Sequence, residues 1–297
     1  SQNAQAIRLV VGYPPGGAVD VAARQFVPYL SKELGQPVIV ENKPGVTGLI
    51  GAAEVSKSSS TMPMLYFAAS PSITITPNIV KTLPVDPRKD LTPIGPLLTF
   101  TNVLLVNKDV PFKNVKELVA YAKANPGKVT YGSSGLGATN HLSGELIEQR
   151  TGAKMTHVPY KGNALAMNDV MGGQITMMFD ITGTAYSFIT TGKVRPLAVT
   201  SRTRHTSLPD VPTMIESGIP DFEVGGWFAV FGPQNMPPDL VDKYNKAIRS
   251  VLANQEYRTK LIDGGYDVWS GSSKELGDKV VRDSQFWSGV VKHLTLE

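Results

Sequence analysis

Short apolar runs alternate along this chain with stripes of helical period. Residues 7–11, 38–40, 64–68 and 103–106 are aliphatic or β-branched runs of strand length, whereas 21–34 and 51–56 carry apolar residues at helical spacing. The rhythm continues through 115–124 and 164–171 as helices and 155–158, 175–179 and 194–199 as strands. From Pro237 onward the pattern is helical, with Leu240, Tyr244, Ile248 and Leu252, then Val280, Val281 and Trp287, at core-facing intervals. Alternation of this kind predicts an α/β fold with mostly parallel strands, in which ligands bind beyond the carboxyl ends of the strands.

Two strand ends carry chemistry suited to an anion. The run 10–11 breaks at Gly12-Tyr13-Pro14-Pro15-Gly16-Gly17-Ala18 and restarts as a helix containing Asp20. A helix start leaves backbone N–H groups unpaired and partly positive, and glycines without a Cβ let a carboxylate approach them. The strand 129–131 likewise ends in Gly132-Ser133-Ser134-Gly135-Leu136-Gly137-Ala138-Thr139-Asn140-His141, which leads into a helix marked by Leu142, Leu146 and Ile147. Two such cradles, over a hundred residues apart, suggest two lobes that each grip one end of an anionic ligand.

Tyr13, Pro15, Gly16, Gly17 and Ala18 form the first candidate cradle. Asp20 either favours the helix dipole or organises the loop and places a water, because one carboxylate does not attract another. Ser133 and Thr139 are the expected ligand donors of the second cradle, beside Ser134, Gly135 and Asn140, whose alternative role is turn and cap chemistry. His141 reads as a packed or capping histidine that is also a ligand candidate. Tyr160 follows the strand 156–158, Asp180 ends the strand 175–179 facing the ligand, and Ser70 is a candidate wall of the first lobe. Lys161 reads as solvated, and Trp227 and Phe228 as packing.

Composition then narrows the class. The chain has 297 residues, 41% hydrophobic and 18% charged, which suits a globular protein of more than one compact unit. No apolar run approaches the ~20 residues that span a bilayer. The absence of cysteine excludes disulfides, thiolate metal sites and cysteine nucleophiles. A net charge of +4 from scattered lysines and arginines favours small anions, and nucleic acid is not an expected partner.

Enzyme motifs fail on particular residues. Leu136 stands where a nucleophile elbow needs its second glycine, and Asn140 where a dinucleotide fingerprint needs its third. His141, His157, His205 and His293 are not spaced as metal ligands, so no cofactor, metal or catalytic residue is expected.

Several further segments occur in a specific order: Leu34-Gly35-Gln36-Pro37-Val38, Val40-Glu41-Asn42-Lys43-Pro44-Gly45, His157-Val158-Pro159-Tyr160-Lys161-Gly162, Gly172-Gly173-Gln174 leading to Met178-Phe179-Asp180, and Leu208-Pro209-Asp210-Val211-Pro212-Thr213. With Tyr13 to Gly17 and Asp20, they make the chain resemble the substrate-binding receptors of tripartite tricarboxylate transporters, the Bug receptors, from about Ile7 to Val291. The resemblance implies a two-lobed periplasmic binding protein of type II-like fold. Lobe 1 would be 1–101 with 225–297 and lobe 2 would be 102–224, with two crossings near Thr101-Asn102 and Gly225-Gly226 and a ligand cleft between the lobes.

It further implies an extracytoplasmic solute receptor, expected as a monomer. It would close on a small organic acid, a dicarboxylate or another aliphatic or aromatic acid, and deliver it to membrane transport subunits. A sensory solute-binding module, or an enzyme on the same fold, is the alternative. The start at Ser1 suits a mature periplasmic chain after signal-peptide removal or a cloning choice, and Leu296-Glu297 equally suits a vector remnant. One departure concerns Thr61-Met62-Pro63-Met64, which stands where such receptors carry Asp-Gly-Tyr-Thr and puts that turn's geometry in doubt.

Overall fold

The computed structural model of the chain describes residues 5–62 and 64–292, so Ser1, Pro63, His293, Leu296 and Glu297 lie outside the described residues. Two compact units emerge. Among the described residues the first contains 5–62, 64–99, 227–262 and 267–291; the second contains 100–226 with the short segment 263–266 and Lys292. That segment is an excursion into the second unit in addition to the two crossings read from the sequence.

In the first unit β1 (Ile7–Val11) leads through α1 (Ala18–Leu34), β2 (Val38–Asn42) and α2 (Leu49–Ser56) to β3 (Leu65–Ala69), α3 (Ser70–Thr74) and the start of β4 (Thr92–Asn107). β1 is flanked in parallel by β2, with Ile7 opposite Val38, and by β3, with Leu9 opposite Leu65. All five residues of β3 are buried, which is why it reads as an unbroken apolar run rather than an alternation. Helix α1 turns Ala22, Ala23, Phe26 and Leu30 inward. Full burial of a Phe or Leu contributes about 1.5–3 kcal/mol, enough to hold the helix against the sheet despite Pro28 in its middle. Where Asp-Gly was expected before β3, the N–H groups of Thr61 and Met62 donate to Ser59 Oγ at 3.3 and 3.1 Å, so a hydroxyl serves as turn acceptor.

The second unit runs on from β4 through α4 (Val115–Ala124), β5 (Thr130–Ser133), α5 (Thr139–Thr151), β6 (Thr156–Pro159), α6 (Asn163–Met171), β7 (Met177–Ile181), α7 (Thr182–Thr190) and β8 (Val194–Val199). β5 is flanked in parallel by β6 and β7. Val103, Leu105, Val170, Met178 and Val199 are among its buried core. The chain returns along β9 (Gly225–Gly232) to α8 (Pro238–Ala253), α9 (Gln255–Asp263), β10 (Asp267–Val268) and α10 (Ser273–Val291).

The expectation of mostly parallel strands needs one correction. β9 runs antiparallel to β3, and β4 runs antiparallel to β7, β8 and β10, so the sheet is mixed. Strands that return the chain from one unit to the other arrive in the opposite direction to the βαβ strands they join. Val281, read as core-facing, is exposed, whereas Val280 and Trp287 are buried.

Candidate functional site

The turn after β1 is exposed from Pro14 to Ala18, and the helix it opens has no side-chain cap. The first helical bond runs from Val21 N–H to Gly17 O at 2.9 Å, so the N–H groups of Ala18, Val19 and Asp20 have no acceptor within the helix. Gly16 has φ +97°, a conformation that L side chains rarely adopt, and a Cβ there would meet nothing within 4 Å. The constraint at Gly16 is thus conformational, and the space above it is open.

Behind this turn the buried Asp20 carboxylate accepts from Gly16 N–H at 2.9 Å, Asn42 Nδ2 at 2.8 Å and Arg24 Nε at 3.0 Å. Burial pushes the carboxyl up, but the bonds from Asn42, Gly16 and Arg24 outweigh it and hold the group below the usual carboxylate range. Asn42 also donates to Tyr13 O at 3.0 Å, and Arg24 Nη2 donates to Asn42 Oδ1 at 2.8 Å. The guanidinium is thereby engaged below the turn. Asp20 thus bonds directly to Gly16 of the turn and, through Asn42, is tied to the carbonyl of Tyr13.

A second loop lies against Tyr13. Val46 and Thr47 both have left-handed φ, +46° and +49°, a strained conformation for β-branched residues. Hydroxyls pin it: Ser72 donates to Thr47 O at 2.6 Å, Tyr66 donates to Gly48 O at 2.9 Å, and Tyr13 is hydrogen-bonded to Ser72. Ser70 is buried, and its hydroxyl accepts from Trp227 N–H at 3.1 Å. Trp227 and Phe228 are buried too, as packing residues are.

In the second unit the turn after β5 consumes much of its own hydrogen-bonding capacity. The N–H of Ser134 goes to Asn140 Oδ1 at 3.2 Å, that of Gly135 to Ser133 Oγ at 3.1 Å, that of Gly137 to His141 Nδ1 at 3.0 Å, and that of Ala138 to Gly135 O at 3.2 Å. Helix α5 again has no side-chain cap, and its first bond runs from Leu142 N–H to Ala138 O, so the N–H groups of Thr139, Asn140 and His141 have no helical acceptor. Asn140 sends its amide hydrogens to Asn163 Oδ1 at 2.8 Å and Phe179 O at 3.2 Å, and Asn163 in turn donates to Asp180 at 2.9 Å. Thr184 donates to Asp180 at 3.0 Å. Burial raises the Asp180 carboxyl above its ordinary value, although Asn163 and Thr184 oppose the shift.

The side chains expected to face a ligand divide accordingly. Ser134 is exposed, whereas Ser133 has 0% exposure and Thr139 is buried with its hydroxyl accepting from Asn102 at 3.2 Å. Tyr160 is half-buried and donates to Asp169 at 2.6 Å; burial and that bond push its phenol up to about 12. Lys161 is exposed. His157, Asn163 and Asn42 belong to these networks, and sequence reading gave them no role. Asn42 ends a strand and Asn163 begins a helix, positions where an amide finds free backbone groups.

Ser133 Oγ and His157 Nε2 are 2.6 Å apart, the reach of a nucleophile and its base. The serine is fully buried, however, and its oxygen is held by Gly135 N–H, so it does not present itself to a substrate. Among the described residues no group of three or more His, Cys, Asp or Glu could hold a metal.

Comparison with known proteins matches this arrangement to one family. Residues 22–296 fit the model of the TctC family, described as the tripartite tricarboxylate transporter family receptor. BugT of Bordetella pertussis is 31% identical over 290 residues, covering 97% of this chain and 89% of that protein. An R. palustris protein solved with adipate superposes with a TM-score of 0.86 at 32% identity, covering 98% of both chains. MatC from Rhodopseudomonas palustris, solved with bound malate, gives 0.84 at 28% identity, covering 96% of this chain and 98% of its own. With two α/β units, each opening a helix without a side-chain cap at a strand end, and with a family match over nearly its whole length, the chain belongs to the tripartite tricarboxylate transporter receptor family.

Proposed function

We propose that the chain is a periplasmic receptor that captures a small organic carboxylate unchanged and presents it to the membrane subunits of a tripartite transporter. The observation that carries this reading is the exposed, uncapped start of α1, where N–H groups stand free above an Asp20 already engaged from behind. A carboxylate seated there receives charge-assisted hydrogen bonds and the helix field without any cationic side chain. Tyr13, Pro15, Gly16, Gly17 and Ala18 line that seat. In the second unit we assign the free N–H groups of 139–141, with Ser134 and Gly135, to a second polar end, and Ser133 and Asn140 to holding the turn. The adipate and malate found in relatives favour a dicarboxylate.

The test is a thermal-shift panel of mono-, di- and tricarboxylates, amino acids and aromatic acids. At a hundredfold excess over Kd a ligand adds about 2.7 kcal/mol, a rise of several degrees for a protein of this size. Gly16→Val should abolish that shift, and because φ +97° is strained for a β-branched residue it should also lower the unliganded melting temperature. Retained affinity in the variant would overturn the seat; no response to any acid, with no acid released on denaturation, would overturn the function.

A further inference from the structure

Beneath the second-unit turn two imidazoles lie face to face. The rings of His141 and His157 stack with centroids 3.8 Å apart and planes 10° apart. Each reaches a different part of the turn: His141 Nδ1 accepts from Gly137 N–H, and His157 Nε2 lies 2.6 Å from Ser133 Oγ. His141 Nε2 faces Glu145 Oε1 at 3.3 Å. An Nδ1 that accepts a backbone N–H carries no proton, so neutral His141 has its hydrogen on Nε2, toward Glu145.

For His157 the direction of the bond follows the tautomer. Ser133 Oγ accepts from Gly135 N–H, and its own hydrogen has two acceptors in reach, Gly135 O at 3.3 Å and His157 Nε2 at 2.6 Å. The hydroxyl donates to Nε2 in the tautomer that leaves that nitrogen unprotonated. Burial and the neighbouring His141 lower the His157 imidazole to about 4, with Glu145 opposing, so the ring is neutral near pH 7. The groups around the pair are Tyr131, whose ring centroid is 5.2 Å from His157, together with Glu145, Glu148 and Lys154.

Resting on the carboxylate reading above, we propose that His157 is a positioning residue: by taking the Ser133 hydroxyl hydrogen it aims that oxygen at Gly135 N–H and, with His141, sets the turn that presents the free N–H groups of 139–141. Protonating Nε2 of His157 would oppose two donors and release the Ser133 anchor.

The experiment uses the full chain, adipate and malate as probes, and amide NMR of Gly135 and Gly137. His157→Phe, which retains a flat ring over His141 but no acceptor, should move the Gly135 amide resonance and weaken binding about tenfold. His157→Gln, whose carbonyl can accept the hydroxyl, should restore binding to within about threefold. Ser133→Ala should weaken binding as His157→Phe does, and the double variant should be no weaker. In the wild type the Gly135 amide should titrate as pH falls toward 4, and this step should vanish in both His157 variants. An unmoved Gly135 amide in His157→Phe, or additive losses in the double variant, would overturn the proposal. If the wild type binds neither probe nor any acid of the panel, the function falls instead, and the Gly135 resonance still decides the positioning role.

Discussion

Two buried aspartates with opposite surroundings make opposite predictions. Asp20 has three donors and a lowered pKa; its contribution to stability is present above the unfolded value near 3.9 and is lost as pH falls through the lower folded value. Asp20→Asn should therefore cost about 1–3 kcal/mol at pH 7 in urea unfolding, with the gap closing below about pH 4. Asp180, raised by burial, binds its proton more tightly when folded, so its ionised form costs stability as pH rises past the unfolded value. Asp180→Asn should unfold at higher urea than wild type at pH 7 and lose that advantage by pH 3; a deficit at pH 7 would contradict the assignment. The sequence made Asp20 legible, because an acid in the first turn of a glycine-flanked helix has few roles. It did not reveal that the polar atoms of Ser133 and Asn140 are taken up within the second unit, since their partners His157, Asn163 and Phe179 lie far along the chain.

At the scale of elements, the βαβ runs were legible and the returning strands were not. α1, α6 and β8 lie close to where periodicity placed them. The sequence pattern marks β4 only at 103–106; in the fold the strand begins at Thr92 and runs through Pro93, Gly95 and Pro96, and Asn245 Nδ2 donates to Ile94 O at 2.9 Å. The excursion at 263–266 left no periodic trace either. Its anchor is a close approach of backbones: a Cβ on Gly183 would stand 1.9 Å from Gly265 Cα. Gly183→Ala should push the segment off α7 and destabilise the protein by about 1–3 kcal/mol, seen as a lower urea midpoint and faster amide exchange at 263–266. An unchanged midpoint would mean that the segment contributes little to the second unit.

For the molecule as a whole, net charge +4 is spread over the surface, and Arg24 is engaged by Asp20 and Asn42. If capture rests on backbone dipoles at short range, salt has little to screen. The Kd of the best acid in the panel should change less than about threefold between ~20 and ~500 mM sodium chloride; a steep loss would indicate a lysine or arginine at the seat.

The division of the chain also dictates an order of manufacture. β3 has β1 on one side and β9 on the other, and β9 is synthesised only after residues 100–224 have been made. The part numbered second is therefore the first whose main stretch is complete, while the earlier one waits with an apolar strand edge unpaired. Such an edge invites other chains until β9 arrives to cover it.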